Sequence, residues 1–482
     1  MINGAWILVI LIGYFGLLML ISALIGKQKG NDGFFSGNRK SPWYVISIGM
    51  IGTSISGITF VSVPGMVRDN DFLYMQTVAG FFVGYILIAK ILLPLYYRLD
   101  APSIYVYLKE RFGKRAYKTG AWFFLISKAI GASIRVYVAA LILHESIFSS
   151  WNVPFGVTVI SLILMIWLYT FRGGIKTIIW VDILQSLCMI GALVLIIFQL
   201  GKAMNLDVAG MVKTVGSSKY FNLVEWSDWG SRQHLFKQFF SGIFIALVMT
   251  GLDQGMIQKN RTIHKLGNAQ KNMYCYGFAF VPVNFIFLSL GTLMYIFASQ
   301  KGIILPNSSD EVLPMLATQG YLNTTVTILF MIGIVSAAFS SADTAMTSMT
   351  TSFCVDILEK ENDVKTRQKV HLFMAMLFVV IIFIFRSANS TTLIDAIYIL
   401  ASYTYGPLLG LYGFGLFTKK AAKDRYIPII AVSSPILCYL LQMFSSRYFG
   451  YQLGYELLML NGLFTFSGLW FTSFKKSVYG NQ

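Results

Sequence analysis

The chain has 482 residues, of which 56% are hydrophobic and only 12% charged, and its mean hydropathy is +0.65. A soluble globular chain carries about 25% charged residues, so the composition excludes a soluble enzyme and points to an all-α polytopic membrane protein. The net charge of +17 does not imply a nucleic-acid partner, because the basic residues sit in short loops between apolar runs, where they set topology.

About 20 helical residues cross a hydrocarbon core. Runs of that kind predict about 13 transmembrane helices, over 4–26, 44–66, 72–97, 118–146, 154–171, 178–202, 236–258, 272–298, 322–357, 369–386, 392–416, 427–445 and 455–473. The first run has no basic residue before it, and Lys27 and Lys29 follow it. It reads as a spanning helix with the N-terminus outside, not as a signal peptide. An odd number of spans then places the C-terminus inside. In this orientation the inside segments, "KNRTIHKLGNAQK" among them, hold 26 of the 38 Lys and Arg. Lys90, Lys128 and Arg135 fall within spans. Cys188, Cys275, Cys354 and Cys438 lie in apolar runs without metal or disulfide spacing, and the four histidines form no cluster. Residues 1–482 read as a single transmembrane domain of a plasma membrane, the inner membrane if bacterial.

Two runs are interrupted. "GMIGTSISGITFVSVPG" (49–65) and "FSGIFIALVMTGLDQGMIQKN" (240–260) mix Gly and hydroxyl residues into apolar sequence. They are the second and seventh runs, so each would open one of two five-helix repeats, 44–202 and 236–417. Residues 1–26 are then an extra first helix and 427–473 two C-terminal helices. Matched interruptions of this kind mark the binding site in transporters built from inverted repeats. Close helix packing through small residues is the alternative.

A third unusual stretch is "SAAFSSADTAMTS" (336–348). On a helix Ser340, Thr344, Thr347, Ser348 and Thr351 share a face, with Ser341 beside them. Hard cations take oxygen ligands, and an unwound second span would add free carbonyls, so an oxygen cage for Na+ is one reading. Hydrogen bonding between helices is the other.

The chain resembles the sodium:solute symporter family, which includes sodium–glucose, sodium–proline and sodium–sialic acid cotransporters. The resemblance is carried by "GTSISGITFVSVPG", "RGGIKTIIWVDILQ", "DQGMIQKN", "AAFSSADTAMTS" and "YGPLLGLYGFGLFTKK". It implies the LeuT-type fold of two inverted five-helix repeats and alternating access driven by sodium. It also maps the main sodium site onto the carbonyls of Gly52, Ile55 and Ala337 and the hydroxyls of Ser340 and Ser341. A second sodium site of some relatives maps onto Asp182, Ser340, Asp343 and Thr344. Asp343 stands where the sialic acid class has a serine. Two carboxylates would hold a cation more strongly, or one would be protonated, or they would pair with a base such as Arg135.

By the same resemblance the solute positions are Ser54, Ser56, Thr59 and Gln76. The sialic acid class has an arginine where this chain has Gly131. Arg135, one turn later, either reaches the same pocket or pairs with Asp182. Ile399 replaces the glutamine of the glucose class, and Asp395 precedes it by one turn. The expected activity is Na+-coupled import of a small polar solute, a sugar or sugar acid first and a carboxylate such as sialic acid or a monocarboxylate second. A passive channel or a solute sensor is the rival class. The sequence has no nucleotide-binding glycine loop, no phosphorylatable aspartate motif and no metal cluster, so no enzyme activity is expected. Lipid is an expected partner, and an oligomer is not required.

Overall fold

The computed structural model describes residues 4–25, 31–388, 393–451 and 453–474. Helix α1 is Gly4–Ile25. A bent pair follows, α2 Trp43–Ser54 and α3 Gly57–Gly65, meeting at 62°. Then come α4 Tyr74–Leu99, α5 Lys114–Trp151, α6 Phe155–Phe171 and α7 Gly173–Ala203. The last two are parted by a kink at Gly174, whose φ of 52° favours glycine. A second bent pair, α8 Leu235–Gly251 and α9 Gln254–Arg261, meets at 64°. The chain continues through α10 Leu266–Gln300, α11 Thr324–Ile357, α12 Val364–Ser387, α13 Leu393–Phe417, α14 Asp424–Phe449 and α15 Leu457–Phe471. A helix or bent pair thus occupies each predicted run. Among the described residues, eight helices are long and apolar enough to cross a membrane, or ten if each bent pair is one span. The tail 475–482 lies outside the described residues.

The apolar residues face two ways. Along α14, Ile429, Val432, Ile436, Leu440 and Met443 are all more than half exposed. A contiguous apolar face of that length suits lipid and not water. By contrast, 78% of the apolar window of α11 is buried, against 22% for α1 and α14. The central position of α11 answers the cost of its polar residues, because "SAAFSSADTAMTS" never meets hydrocarbon and its groups are free to pair internally.

Small residues set how closely α2 and α7 approach. A Cβ on Gly49 would lie 2.9 Å from Cβ of Asp182, and one on Gly52 would run into Ser186, 2.9 Å from its Cβ and 3.1 Å from its Cα. The glycines of α2 therefore hold the Asp182 carboxylate against the break in the bent pair. Gly52→Val is expected to cost about 1–3 kcal/mol through overpacking. The check is thermal unfolding in detergent beside Gly191→Ala, where an added Cβ meets nothing within 4 Å and stability should hold.

Candidate cation and solute site

The break between α2 and α3 is built by Ser56 and Thr59. Ser56 caps α3 through a reciprocal capping box: the Thr59 N–H donates to Ser56 Oγ at 3.4 Å, and the Ser56 N–H donates to Thr59 Oγ1 at 3.3 Å. In an unbroken helix those two amides would bond the carbonyls of Ile55 and Gly52. The cap diverts both, so the carbonyls assigned from the family's main sodium site lose their helical donors. Ser340, Ser341 and Ala337 of α11 are buried opposite the break. Ser341 Oγ donates to the Thr53 carbonyl at 3.2 Å. The donor set is all oxygen and fits a small hard cation.

Asp182 of α7 lies beside this group. Ser340 Oγ donates to its Oδ1 at 2.6 Å, and Thr53 Oγ1 lies 3.4 Å from the same oxygen. Its charge is met by Lys259 of α9, whose ammonium is 2.6 Å from Oδ2, with both side chains fully buried. This corrects two sequence readings. Asp182 does not pair with Arg135. Lys259 falls in an inside loop when the seventh run ends at 258, but it sits in the core, where the bend turns α9 back against α2. Asp343 does not turn its oxygens to Asp182; it accepts from Tyr169 Oη at 2.8 Å and from Thr344 Oγ1 at 3.2 Å. Thr344, Thr347 and Ser348 are also buried, and Thr351 accepts from Gln258 Nε2 at 3.1 Å. The lower part of the stripe is thus a packing seam against α9, as the hydrogen-bonding alternative expects. Gly255 permits that approach, since its Cβ would lie 3.0 Å from both Ser348 Oγ and Thr344 Cγ2.

A cavity opens beside the break, lined by Ser54, Ser56, Thr59 and Ser341 on one side and Arg135, Lys128, Asp253, Tyr276 and Tyr405 on the other. Ser54 Oγ is 2.5 Å from Tyr276 Oη. Gly131 also lines it, an added Cβ there meets nothing within 4 Å, and Arg135, one turn later, lines the same cavity. Arg135 Nε is buried with no hydrogen-bond partner, and no carboxylate among the described residues pairs with this side chain. Gln76 is a correction. Its amide donates to the carbonyls of Leu73 and Gln233, and its oxygen accepts from the Glu225 N–H, so it anchors the 203–235 segment and does not reach the cavity. The side chain of Asp395 lies outside the described residues.

Lys128 and Asp253 form a site feature that the sequence reading left out. Asp253 caps α9 by accepting from the Met256 N–H at 3.1 Å, and it also meets Lys128 Nζ at 2.7 Å and Tyr405 Oη at 3.1 Å. The pair ties α5 and α13 to the second break. The signal was Lys128 itself, a charge inside a span. Lys128→Met is expected to cost about 3–5 kcal/mol by stranding Asp253, and adding Asp253→Asn should recover most of it. Thermal unfolding of the single and double variants checks this.

An all-helical membrane protein with two half-helix pairs broken at the same cavity is a secondary transporter by architecture. The chain belongs to the sodium:solute symporter family, whose model matches residues 34–424, and Na+ is the ion that family couples to transport. It is 23% identical over 445 residues to the sodium/sialic acid symporter SiaT of Proteus mirabilis, covering 88% of this chain and 87% of that one. It is 24% identical to the sodium/sialic acid symporter NanT of Aliivibrio fischeri, covering 89% and 86%. Its fold matches a substrate-bound, outward-open Na+-coupled sialic acid symporter with a TM-score of 0.82 at 18% identity, over 97% of each chain. It also matches Mhp1, a nucleobase-cation-symport-1 family transporter, with a TM-score of 0.59 over 90% and 92%.

Proposed function

We propose that this chain is a Na+-coupled symporter that imports a small organic anion rich in hydroxyls, a sugar acid of the sialic acid type. The observation that carries the substrate class is Arg135: a cation without a carboxylate partner among the described residues, facing Ser54, Ser56 and Thr59 across one cavity. A carboxylate would meet its guanidinium fork, and hydroxyls would meet the serine and threonine side. The sialic acid symporters among the relatives support the same class. A neutral sugar would leave the arginine unanswered, which argues against the wider sugar reading. A short monocarboxylate would use Arg135 and leave the hydroxyls idle.

Sodium binds in this proposal at Gly52, Ile55, Ala337, Ser340 and Ser341. Thirteen spans, the N-terminus outside and the C-terminus inside complete the topology, with 44–202 and 236–417 as inverted repeats. The near-equal bends of 62° and 64° at the start of each repeat support that division. The plasma membrane is the expected location. The test is uptake of labelled sialic acid into proteoliposomes under an inward Na+ gradient, with a neutral hexose and a short monocarboxylate as competitors. Uptake is expected only with sodium and only the acid should compete well. Equal uptake in K+ would make the protein a facilitator, and competition by hexose would overturn the anion assignment.

A further inference from the structure

The geometry points to Lys259 as a tethered cation that fills the place of a second sodium at Asp182, so that the chain carries a single Na+ per cycle. This inference rests on the sodium-coupled reading above. A buried carboxylate that stays ionised is stabilised by a positive partner, and at Asp182 an ammonium stands where a metal ion would otherwise supply that charge. Here Lys259 Nζ lies 2.6 Å from Asp182 Oδ2 and also donates to Thr53 Oγ1.

The remaining oxygens around Asp182 are committed as well. The Thr53 hydroxyl proton is directed at the Gly49 carbonyl, 3.0 Å away, which leaves its lone pairs for the ammonium. Ser340 spends its proton on Asp182 Oδ1. Asp343 faces Tyr169 and Thr344 instead. A sodium at Asp182 would have to displace the ammonium or sit against it, and two like charges sharing one carboxylate repel. The oxygens at the break are different. Among the described residues Ser341 Oγ donates to the Thr53 carbonyl alone, and the carbonyls of Gly52 and Ile55 have had their helical donors diverted. One site is open to a mobile cation and the other already holds a covalently attached one.

The experiment is equilibrium binding of ²²Na+ to the purified full-length chain, which requires no solute. The wild type is expected to bind about one sodium per chain with a Hill coefficient near one. Lys259→Ala should bind about two. Lys259→Met/Asp182→Asn removes both charges together, which keeps the core neutral, and should return to about one. Two sodiums bound by the wild type would overturn the inference and leave sodium coupling standing. Lys259→Ala remaining at one, or the double variant binding none, would also overturn it. If Lys259→Ala does not fold, the wild-type count and the double variant decide. No sodium bound by the wild type would overturn the coupling reading itself.

Discussion

Ser341→Ala is expected to weaken sodium binding, so that the sodium-specific stabilisation of the purified protein shifts to higher NaCl while the fold stays intact. A ligand bound only by the folded state adds RT ln(1 + [L]/Kd), about 2.7 kcal/mol at a hundred times Kd. The wild type should therefore unfold at a higher temperature in NaCl than in equal KCl or choline chloride. Ser341 is the informative hydroxyl because its bond to the Thr53 carbonyl is long at 3.2 Å. Its loss in KCl should cost only about 0.5–1.5 kcal/mol. Ser340→Ala would be harder to read, since Ser340 also holds Asp182 at 2.6 Å. Solute binding measured with saturating sodium should survive the change. Equal loss of sodium and solute binding would move Ser341 out of the cation site and into the solute cavity, which it also lines.

The stretches legible in sequence were those whose signal is local. Apolar runs gave the helices, and clustered glycines and hydroxyls marked both broken pairs. The capping residues Ser56 and Asp253 are visible in the strings "SGIT" and "DQGM" once a break is suspected. Pairings across the fold were not legible. Lys259 directly follows an apolar run, as a loop lysine does, and only the bend of α9 carries it to Asp182, 77 residues earlier. Gln76 is a solute position only by the family resemblance, and the 203–235 segment folds over it and takes its hydrogen bonds. Helical phase left Arg135 either in the pocket or paired with Asp182; it lines the cavity, and Lys259 and Lys128 claim Asp182 and Asp253.

Arg135→Gln is expected to weaken binding of an acidic solute by about 10–100-fold while leaving the sodium response unchanged. A hydrogen bond to a charged group contributes about 1.5–3 kcal/mol, and each 1.4 kcal/mol is tenfold in affinity. The effect should follow the solute's carboxylate, so the methyl ester of the same sugar acid should bind wild type and variant alike. Arg135→Lys should recover only part of the loss, because an ammonium lacks the planar fork that engages both carboxylate oxygens. The measurement is competition by acid and ester against labelled sialic acid for wild type and both variants. The carboxylate neighbouring Arg135 electrostatically is Asp253, and Asp253 is already bound by Lys128 at 2.7 Å. The guanidinium charge is thus left for a ligand to neutralise, which predicts that a bound acid will stabilise the protein more than its ester does. An acid-to-ester ratio that stays the same in Arg135→Gln would reassign Arg135 to packing and remove the main support for an anionic solute.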